Sequence, residues 1–289
     1  MDPHLQAVSK VTVPVILERK LRGEKITCLT AYDYPTARLV DEAGIDMILV
    51  GDSLAQVVLG YESTLPVTVD EMLHHCKAVR RAVRRALLIV DLPYGAYHIG
   101  AEETLQTSIR FLKEGGAEAV KIEGGKKRAA LIRALVDAEI PVVGHIGLTP
   151  QSVHALGGYR VQGRTLDAAT ELLADAQAVE DAGAFALVLE GIPRELAGII
   201  TRRLRIPTIG IGAGPDCDGQ VLVFHDFAGL SLAPPAKFVR PYANLAETLR
   251  GALARFRDDV VAGRFPDDGE SYHWPAAVRE QFEKAGVRG

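Results

Sequence analysis

Short, almost wholly apolar runs alternate along this chain with longer stretches in which apolar residues recur every three or four positions. The runs are Ile26–Ala31, Met47–Val50, Leu87–Val90, Ala119–Ile122, Val142–Val143, Ala186–Leu189 and Thr208–Ile211. Their apolar residues are nearly continuous, the mark of strands covered on both faces in a parallel sheet. Between them, Met72, Cys76, Val79 and Val83 form one helical stripe. Leu105, Ile109 and Leu112 form a second, and Ala168, Leu172 and Val179 a third. Leu245, Leu249, Leu253, Phe256 and Val260 form a fourth. The basic run Arg80–Arg85 sits off the first stripe and is expected to be a solvated helix face.

One segment reads two ways. Val221–Phe224 has strand composition, but only about ten residues separate it from Thr208–Ile211, and a parallel crossover needs roughly a dozen. The spacing therefore predicts a helix over 218–228, started by Asp216 or Asp218 and stopped by Gly229. The eighth strand is then expected at Lys237–Arg240 and a last helix over 242–262. Residues 14–22 are expected to form an extra N-terminal helix that enters from below. The count gives eight strand–helix units, an α/β fold of the (β/α)8 TIM-barrel kind. No proline- or serine-rich linker divides the chain, so a single domain over 1–289 is expected, with 264–289 as a C-terminal tail.

Composition narrows the function. The 289 residues carry a net charge of −4, which gives no case for nucleic acid or an anionic membrane surface as partner. No apolar run reaches about 18 residues, so no membrane span is expected. Met1 to Lys10 lacks an apolar core and is not expected to be a signal peptide. Cys28, Cys76 and Cys217 are far apart and show no disulfide or zinc spacing; small buried hydrophobes in a reducing compartment are expected.

In such a barrel the active site lies at the C-terminal ends of the strands. Strand one ends at Asp33, strand two at Gly51-Asp52-Ser53, strand three at Asp91, and strand four at Lys121-Ile122-Glu123. Strand five ends at His145 and strand six at Glu190. Each of the first six thus brings an ionisable group to the mouth. Like charges so close repel, and a bound divalent cation is the simplest compensation. Asp52 and Asp91 offer hard oxygen ligands; Glu123 could add a third or hold a metal-bound water. No cysteine joins them, so Mg²⁺ is expected, with Mn²⁺ or Co²⁺ as substitutes. Such an ion can chelate a 2-oxo acid and stabilise its enolate. Glu190 follows the apolar strand Ala186-Leu187-Val188-Leu189 and is the candidate general base, since apolar surroundings make a carboxylate more basic. It could instead pair with Lys121 across the mouth. Lys121 could pair with an acid or contact a substrate anion. His145 could relay a proton or hydrogen-bond a loop.

Gly210-x-Gly212-x-Gly214 lacks the full dinucleotide spacing and reads as a close-packed turn. Ala55–Thr68 and Gly147–Arg164 are long enough to be lids or binding loops.

These residues occur in a familiar series: Thr30-Ala31-Tyr32-Asp33, Val50-Gly51-Asp52-Ser53, Leu65-Pro66-Val67-Thr68, Val120-Lys121-Ile122-Glu123-Gly124-Gly125, Gly144-His145-Ile146-Gly147-Leu148-Thr149-Pro150-Gln151 and Ile209-Gly210-Ile211-Gly212-Ala213-Gly214. From about Val13 to Arg240 the chain resembles the ketopantoate hydroxymethyltransferase (3-methyl-2-oxobutanoate hydroxymethyltransferase) family. The resemblance implies a Mg²⁺ barrel enzyme of pantothenate and coenzyme A biosynthesis. It also implies a cytoplasmic homo-oligomer, typically a decamer, with 5,10-methylenetetrahydrofolate as co-substrate. Carried over, it makes Asp52 and Asp91 metal ligands with Glu123 in support. Asp52, Ser53, Asp91 and Lys121 become substrate contacts, and Glu190 the proton acceptor. The sequence departs from the family at Ala55-Gln56 and at Tyr94-Gly95-Ala96-Tyr97-His98, on the expected pocket rim.

Two other readings stand beside this one. A Mg²⁺-dependent carbon–carbon lyase of the phosphoenolpyruvate mutase/isocitrate lyase kind would use the same enolate, but would usually carry a catalytic cysteine on a mobile loop. A non-catalytic barrel would be expected to have lost part of the acidic set.

Overall fold

A computed structural model describes residues 9–232 and 234–286. The expectation about Met1–Lys10 concerns a segment whose residues 1–8 lie outside the described residues, as do 287–289 of the expected tail. Eight parallel strands close into a barrel in chain order: β1 (Ile26–Thr30), β2 (Met47–Val50), β3 (Leu87–Asp91), β4 (Ala119–Glu123), β5 (Val142–Gly147), β6 (Ala186–Glu190), β7 (Thr208–Ile211) and β8 (Gly219–Leu222), with β8 pairing to β1. Helices follow every strand except β7, whose link to β8 is a turn, and the whole is the expected (β/α)8-type barrel. Among the described residues no helix is long and apolar enough to cross a membrane.

Alternate residues of each strand go to different cores. One set, including Cys28, Met47, Leu49, Ile89, Ala119, Val143, Val188, Ile209 and Val221, fills the barrel interior. Their neighbours Leu29, Ile48, Val50, Leu88, Val90, Val120 and Leu189 pack outward under the helices. Both faces are apolar because both are covered, which explains the unbroken runs in the sequence. The N-terminal helix, Val13–Arg22, begins with a proline in its first turn and ends at left-handed Gly23 (φ 68°). Its Ile16 is fully buried with Val11, Ile26 and Phe185, in the same cluster as the barrel interior.

The eighth strand corrects the sequence reading. It lies at Gly219–Leu222, inside the segment expected to be a helix, and Lys237–Arg240 is not a strand. The crossover rule misled because these strands have four residues each, so the chain has little distance to retrace. Seven linking residues span up to about 23 Å when extended, and a four-residue strand rises only about 13 Å. Gly212 (φ 62°) and Gly214 (φ 81°) turn the chain there. A Cβ on Gly212 would lie 2.7 Å from Phe238 and one on Gly214 2.4 Å from Arg194, so the glycines serve close packing. Asp218 then fixes the return: its Oδ2 accepts from Thr208 N at 2.8 Å and pairs with Lys20 at 2.7 Å. Within the basic run, Arg85 is not merely solvated. It donates to the Gly44 and Ile45 carbonyls and pairs with Asp46 at 3.0 Å.

The chain divides into two compact units, Met1–Tyr242 and Ala243–Gly289. The second contains the helix Leu245–Val261, close to its expected span, a 3-10 turn at Asp268–Glu270 and the helix Ala276–Lys284. Trp274 stacks on Phe282 at 4.4 Å within it.

The Asp218 closure gives a stability prediction. Asp218→Ala leaves Lys20 without its carboxylate and the Thr208 amide without its acceptor, and is expected to cost roughly 2–4 kcal/mol in urea unfolding. Glu18→Ala, at the exposed pair Arg22–Glu18, is expected to cost less than about 1 kcal/mol. Equal losses would remove the closing role from Asp218.

Candidate functional site

Strand parity builds the site. Leu87 and Ile89 of β3 face the lumen, so Asp91 does too. β4 repeats this with Ala119, Lys121 and Glu123, β5 with Val143 and His145, and β6 with Ala186, Val188 and Glu190. With a side-chain period of two, fixing the apolar members inward sends the polar ones to the same place. Asp52 and Ser53 arrive differently, from the turn after β2. Gly51 permits that turn, since a Cβ there would lie 2.8 Å from Ser53 Oγ.

These residues line one cavity of about 200 Å³, with Gln56, Tyr159 and Phe238 also in its wall. That is below the roughly 300–1,000 Å³ of drug-sized sites and suits a small ligand. No cysteine lines it; Cys28, Cys76 and Cys217 are buried free thiols. Asp33, expected at the mouth, is absent from the lining. Its carboxylate instead caps the helix Tyr34–Glu42 by accepting from Thr36 N at 2.8 Å. A helix that starts directly after a strand has unpaired amides, and the nearest carboxylate satisfies one of them.

The polar groups interlock. Asp52 N donates to Asp91 Oδ2 (3.0 Å), and Asp52 Oδ2 accepts from Gln151 Nε2 (2.9 Å). Glu123 Oε2 accepts from Gln151 N (3.1 Å), and Ser53 Oγ shares a hydrogen bond with the Tyr32 hydroxyl (2.8 Å). Lys121 does not bridge to Glu190. It pairs with Asp91 Oδ1 at 3.0 Å, off the hydrogen-bonding direction, so that buried oxygen keeps no directed partner. His145 bonds no loop. Its Nε2 lies 3.1 Å from Glu190 Oε2, and its Nδ1 lies 3.4 Å from Glu123 Oε1 and 3.2 Å from Lys121 Nζ. The two Nδ1 contacts exclude each other: a neutral ring accepts from Lys121 there, and an imidazolium donates to Glu123.

Burial pushes the Asp52 carboxyl well above the usual carboxylate range, and the Asp91 and Glu123 charges push it further. Burial also raises Asp91, against the pull of Lys121. Burial would raise Glu123 as well, but the hydrogen bond and charge of His145 outweigh it and hold that carboxyl low. Lys121 stays protonated although burial opposes its charge, because Asp91, Glu123 and Asp52 surround it. Burial and Lys121 likewise oppose a charge on His145. The Glu123 and Glu190 carboxylates prevail and raise it to about 9.

Four acids therefore face one ammonium and one imidazole; fully ionised they would leave an excess of negative charge even with the ring protonated, and the raised Asp52 and Asp91 carboxyls register that strain. Asp52 and Asp91 supply hard oxygen donors, Asp91 Oδ1 being ion-paired with Lys121 at 3.0 Å; the residues fit a divalent cation. Among the described residues no three His, Cys, Asp or Glu side chains form a metal cage by themselves. Sequence reasoning missed the roles of Gln151, Tyr32 and Tyr97. Gln151 stood in a quoted motif, but nothing in its spacing marks an amide that binds two acids.

The family model for ketopantoate hydroxymethyltransferase matches residues 10–268. A relative named 3-methyl-2-oxobutanoate hydroxymethyltransferase from Koribacter versatilis is 66% identical over 95% of this chain and 93% of its own. One of the same name from Thermobifida fusca is 58% identical over 91% and 94%. Among solved structures, a phosphonopyruvate hydrolase with oxalate and Mg++ aligns over 95% of this chain and 96% of its own (TM-score 0.60, 16% identity). An oxaloacetate acetylhydrolase aligns over 97% and 99% (TM-score 0.60, 17% identity). At such identities these structures speak to the fold alone.

The His145 ring gives a pH prediction. Its folded value, about 9, lies above that of a free histidine, about 6.5. Its contribution to stability is thus fully present below about pH 6.5 and is lost as pH rises through about 9. Urea unfolding of metal-free protein should show the wild type's advantage over His145→Gln shrinking across that window. An advantage that grows with pH would show that the ring is not held as a cation.

Proposed function

The chain belongs to the ketopantoate hydroxymethyltransferase family and is a hydroxymethyl-transferring enzyme. From that premise we propose that it carries the one-carbon unit of 5,10-methylenetetrahydrofolate to the branched carbon of 3-methyl-2-oxobutanoate. Water is consumed, and 2-dehydropantoate and tetrahydrofolate leave. We place the reaction in the cytoplasm, on the route to pantothenate and coenzyme A, in one barrel domain of a homo-oligomer of ten subunits.

The observation that carries this reading is the charge of the cavity. Four ionised carboxylates set against Lys121 and His145 alone would repel an anionic keto acid, and the raised proton affinity of Asp52 and Asp91 marks the need for a further cation to hold them ionised. Asp52 and Asp91 hold it, and Glu123 supports them from the Gln151 side. A Mg²⁺ ion there, or Mn²⁺ or Co²⁺ in its place, supplies positive charge and Lewis acidity toward the ketone oxygen.

The remaining chemistry belongs to the chain. Ser53 and Lys121 hold the anionic end of the substrate. Glu190 is the least buried of the four acids, at 15% side-chain exposure, and has no directed hydrogen bond to its nearest neighbour, His145. It is free to take the proton from the branched carbon. His145 Nε2, 3.1 Å from Glu190 Oε2, orients that carboxylate for the transfer. The water consumed cleaves both carbon–nitrogen bonds of the folate methylene, leaving both nitrogens protonated and the carbon at the level of formaldehyde; the carbanionic carbon attacks that carbon, a carbon–carbon bond forms, and the resulting alkoxide takes back the proton held by Glu190.

Proton removal can be tested without folate. In D₂O the branched-carbon hydrogen of the keto acid should exchange, as followed by NMR. Glu190→Gln should slow exchange at least roughly 100-fold, and EDTA should suppress it. Exchange at the wild-type rate in the variant would remove Glu190 from the base role; exchange unaffected by EDTA would remove the cation.

A further inference from the structure

Beside the acids assigned above, the buried side chain of Gln151 has every polar atom engaged. Gln151 sits in a 3-10 turn, Pro150–Ser152, and is buried. Its Nε2 donates to Asp52 Oδ2 at 2.9 Å and to the Leu92 carbonyl at 3.0 Å. Its Oε1 accepts from the Tyr97 hydroxyl at 2.5 Å, and its backbone N–H donates to Glu123 Oε2 at 3.1 Å. The partners fix the direction of each bond. A carbonyl never donates, so the Leu92 oxygen requires the amide to present NH₂ on the side it shares with Asp52. The opposite face must then present an oxygen, and only a donor can meet it there.

Tyr97 is that donor, and it is itself held. Its ring is buried, the Arg128 guanidinium lies 4.9 Å from its centroid, and the His98 ring centroid lies 4.3 Å away. The hydroxyl has an orienting role that packing alone would not supply. Without it the amide would keep its volume but lose the partner that opposes a flip, and a flipped amide turns its oxygen toward Asp52.

The result is a division of labour within each carboxylate. Asp52 Oδ2 is tied to Gln151 Nε2, Asp91 Oδ2 to Asp52 N, and Glu123 Oε2 to Gln151 N. One oxygen of each acid is anchored by a scaffold amide, which sets the orientation of the other. Gln151 provides two of the three anchors.

We propose that Gln151 and Tyr97 are positioning residues for the cation site: the Tyr97 hydroxyl orients the Gln151 amide, and that amide holds Asp52 in its cation-binding orientation. The inference rests on the reading of Asp52 and Asp91 as ligands of a divalent cation.

The test measures Mn²⁺ binding to metal-free protein by electron paramagnetic resonance, beside thermal unfolding and the KM and kcat for keto acid. Tyr97→Phe keeps the ring and removes one hydrogen bond, and should weaken Mn²⁺ binding roughly five- to tenfold. Gln151→Met keeps much of the volume, removes the amide anchor on Asp52 and leaves the backbone one on Glu123. It should weaken Mn²⁺ binding more than Tyr97→Phe does. At saturating Mn²⁺ the Tyr97→Phe deficit should shrink, which a loss of fold stability alone would not do. Wild type that binds Mn²⁺ while Tyr97→Phe binds it within twofold would overturn the proposal and leave the cation reading standing. Wild type that binds no Mn²⁺ would overturn both.

Discussion

Mutual repulsion among buried carboxylates governs this barrel mouth. Asp52, Asp91 and Glu123 are almost fully removed from water, and Glu190 stands beside them. Buried acids of one sign raise one another's proton affinity unless something of opposite sign intervenes. Lys121 and His145 do part of this from inside the cluster. Their own charges survive burial only because the acids are there. The cluster is therefore one unit: removing any member changes the charge state that the others can bear.

The scaffold beneath has to be rigid for such a unit to hold its shape. Below Asp91, Lys121, His145 and Glu190 lie Ile89, Ala119, Val143 and Val188, two residues earlier on the same strands and packed into one apolar plug. The plug excludes water from the lumen and fixes strand register. Register in turn decides which side chains face the cavity, since a slip of one residue would turn each acid out under the helices. Closure by β8 belongs to the same logic. A missing eighth strand would leave β1 and β7 as open edges, and Thr30, whose Oγ1 accepts from Phe224 N, would lose its place beside the cavity.

The sequence made the barrel legible because double-sided burial writes continuous apolar runs, and it made most of the candidate site legible because parity carries the chemistry on the same strands. Asp91, Lys121, Glu123, His145 and Glu190 were readable for that reason. The rest depends on distance in space. Whether Lys121 meets Asp91 or Glu190 is set by the neighbouring registers of β3 and β4, which pair Asp91 directly with Lys121. Asp33 ended a strand like the others, yet the helix that begins at Tyr34 claimed its carboxylate. β8 was misplaced because a spacing rule drawn from longer strands was applied to four-residue ones. Gln151 and Tyr97 lie 54 positions apart and meet only in the fold.

The contrast between Asp52 and Glu123 shows how amide donors from one residue can leave two acids in different states. Gln151 donates to both, from its side chain to one and from its backbone to the other. Yet burial and its acidic neighbours push Asp52 up, whereas Glu123 is drawn down. Hydrogen bonding to the amide favours the ionised form in each case, so it cannot be the source of the difference. The difference lies in the cation each one meets: Glu123 has the His145 imidazole, and Asp52 has no basic side chain of its own. Lys121 is engaged by Asp91. Asp52 is therefore the acid whose ionisation most needs a positive charge, while its tie to Gln151 leaves the other carboxylate oxygen available to meet one.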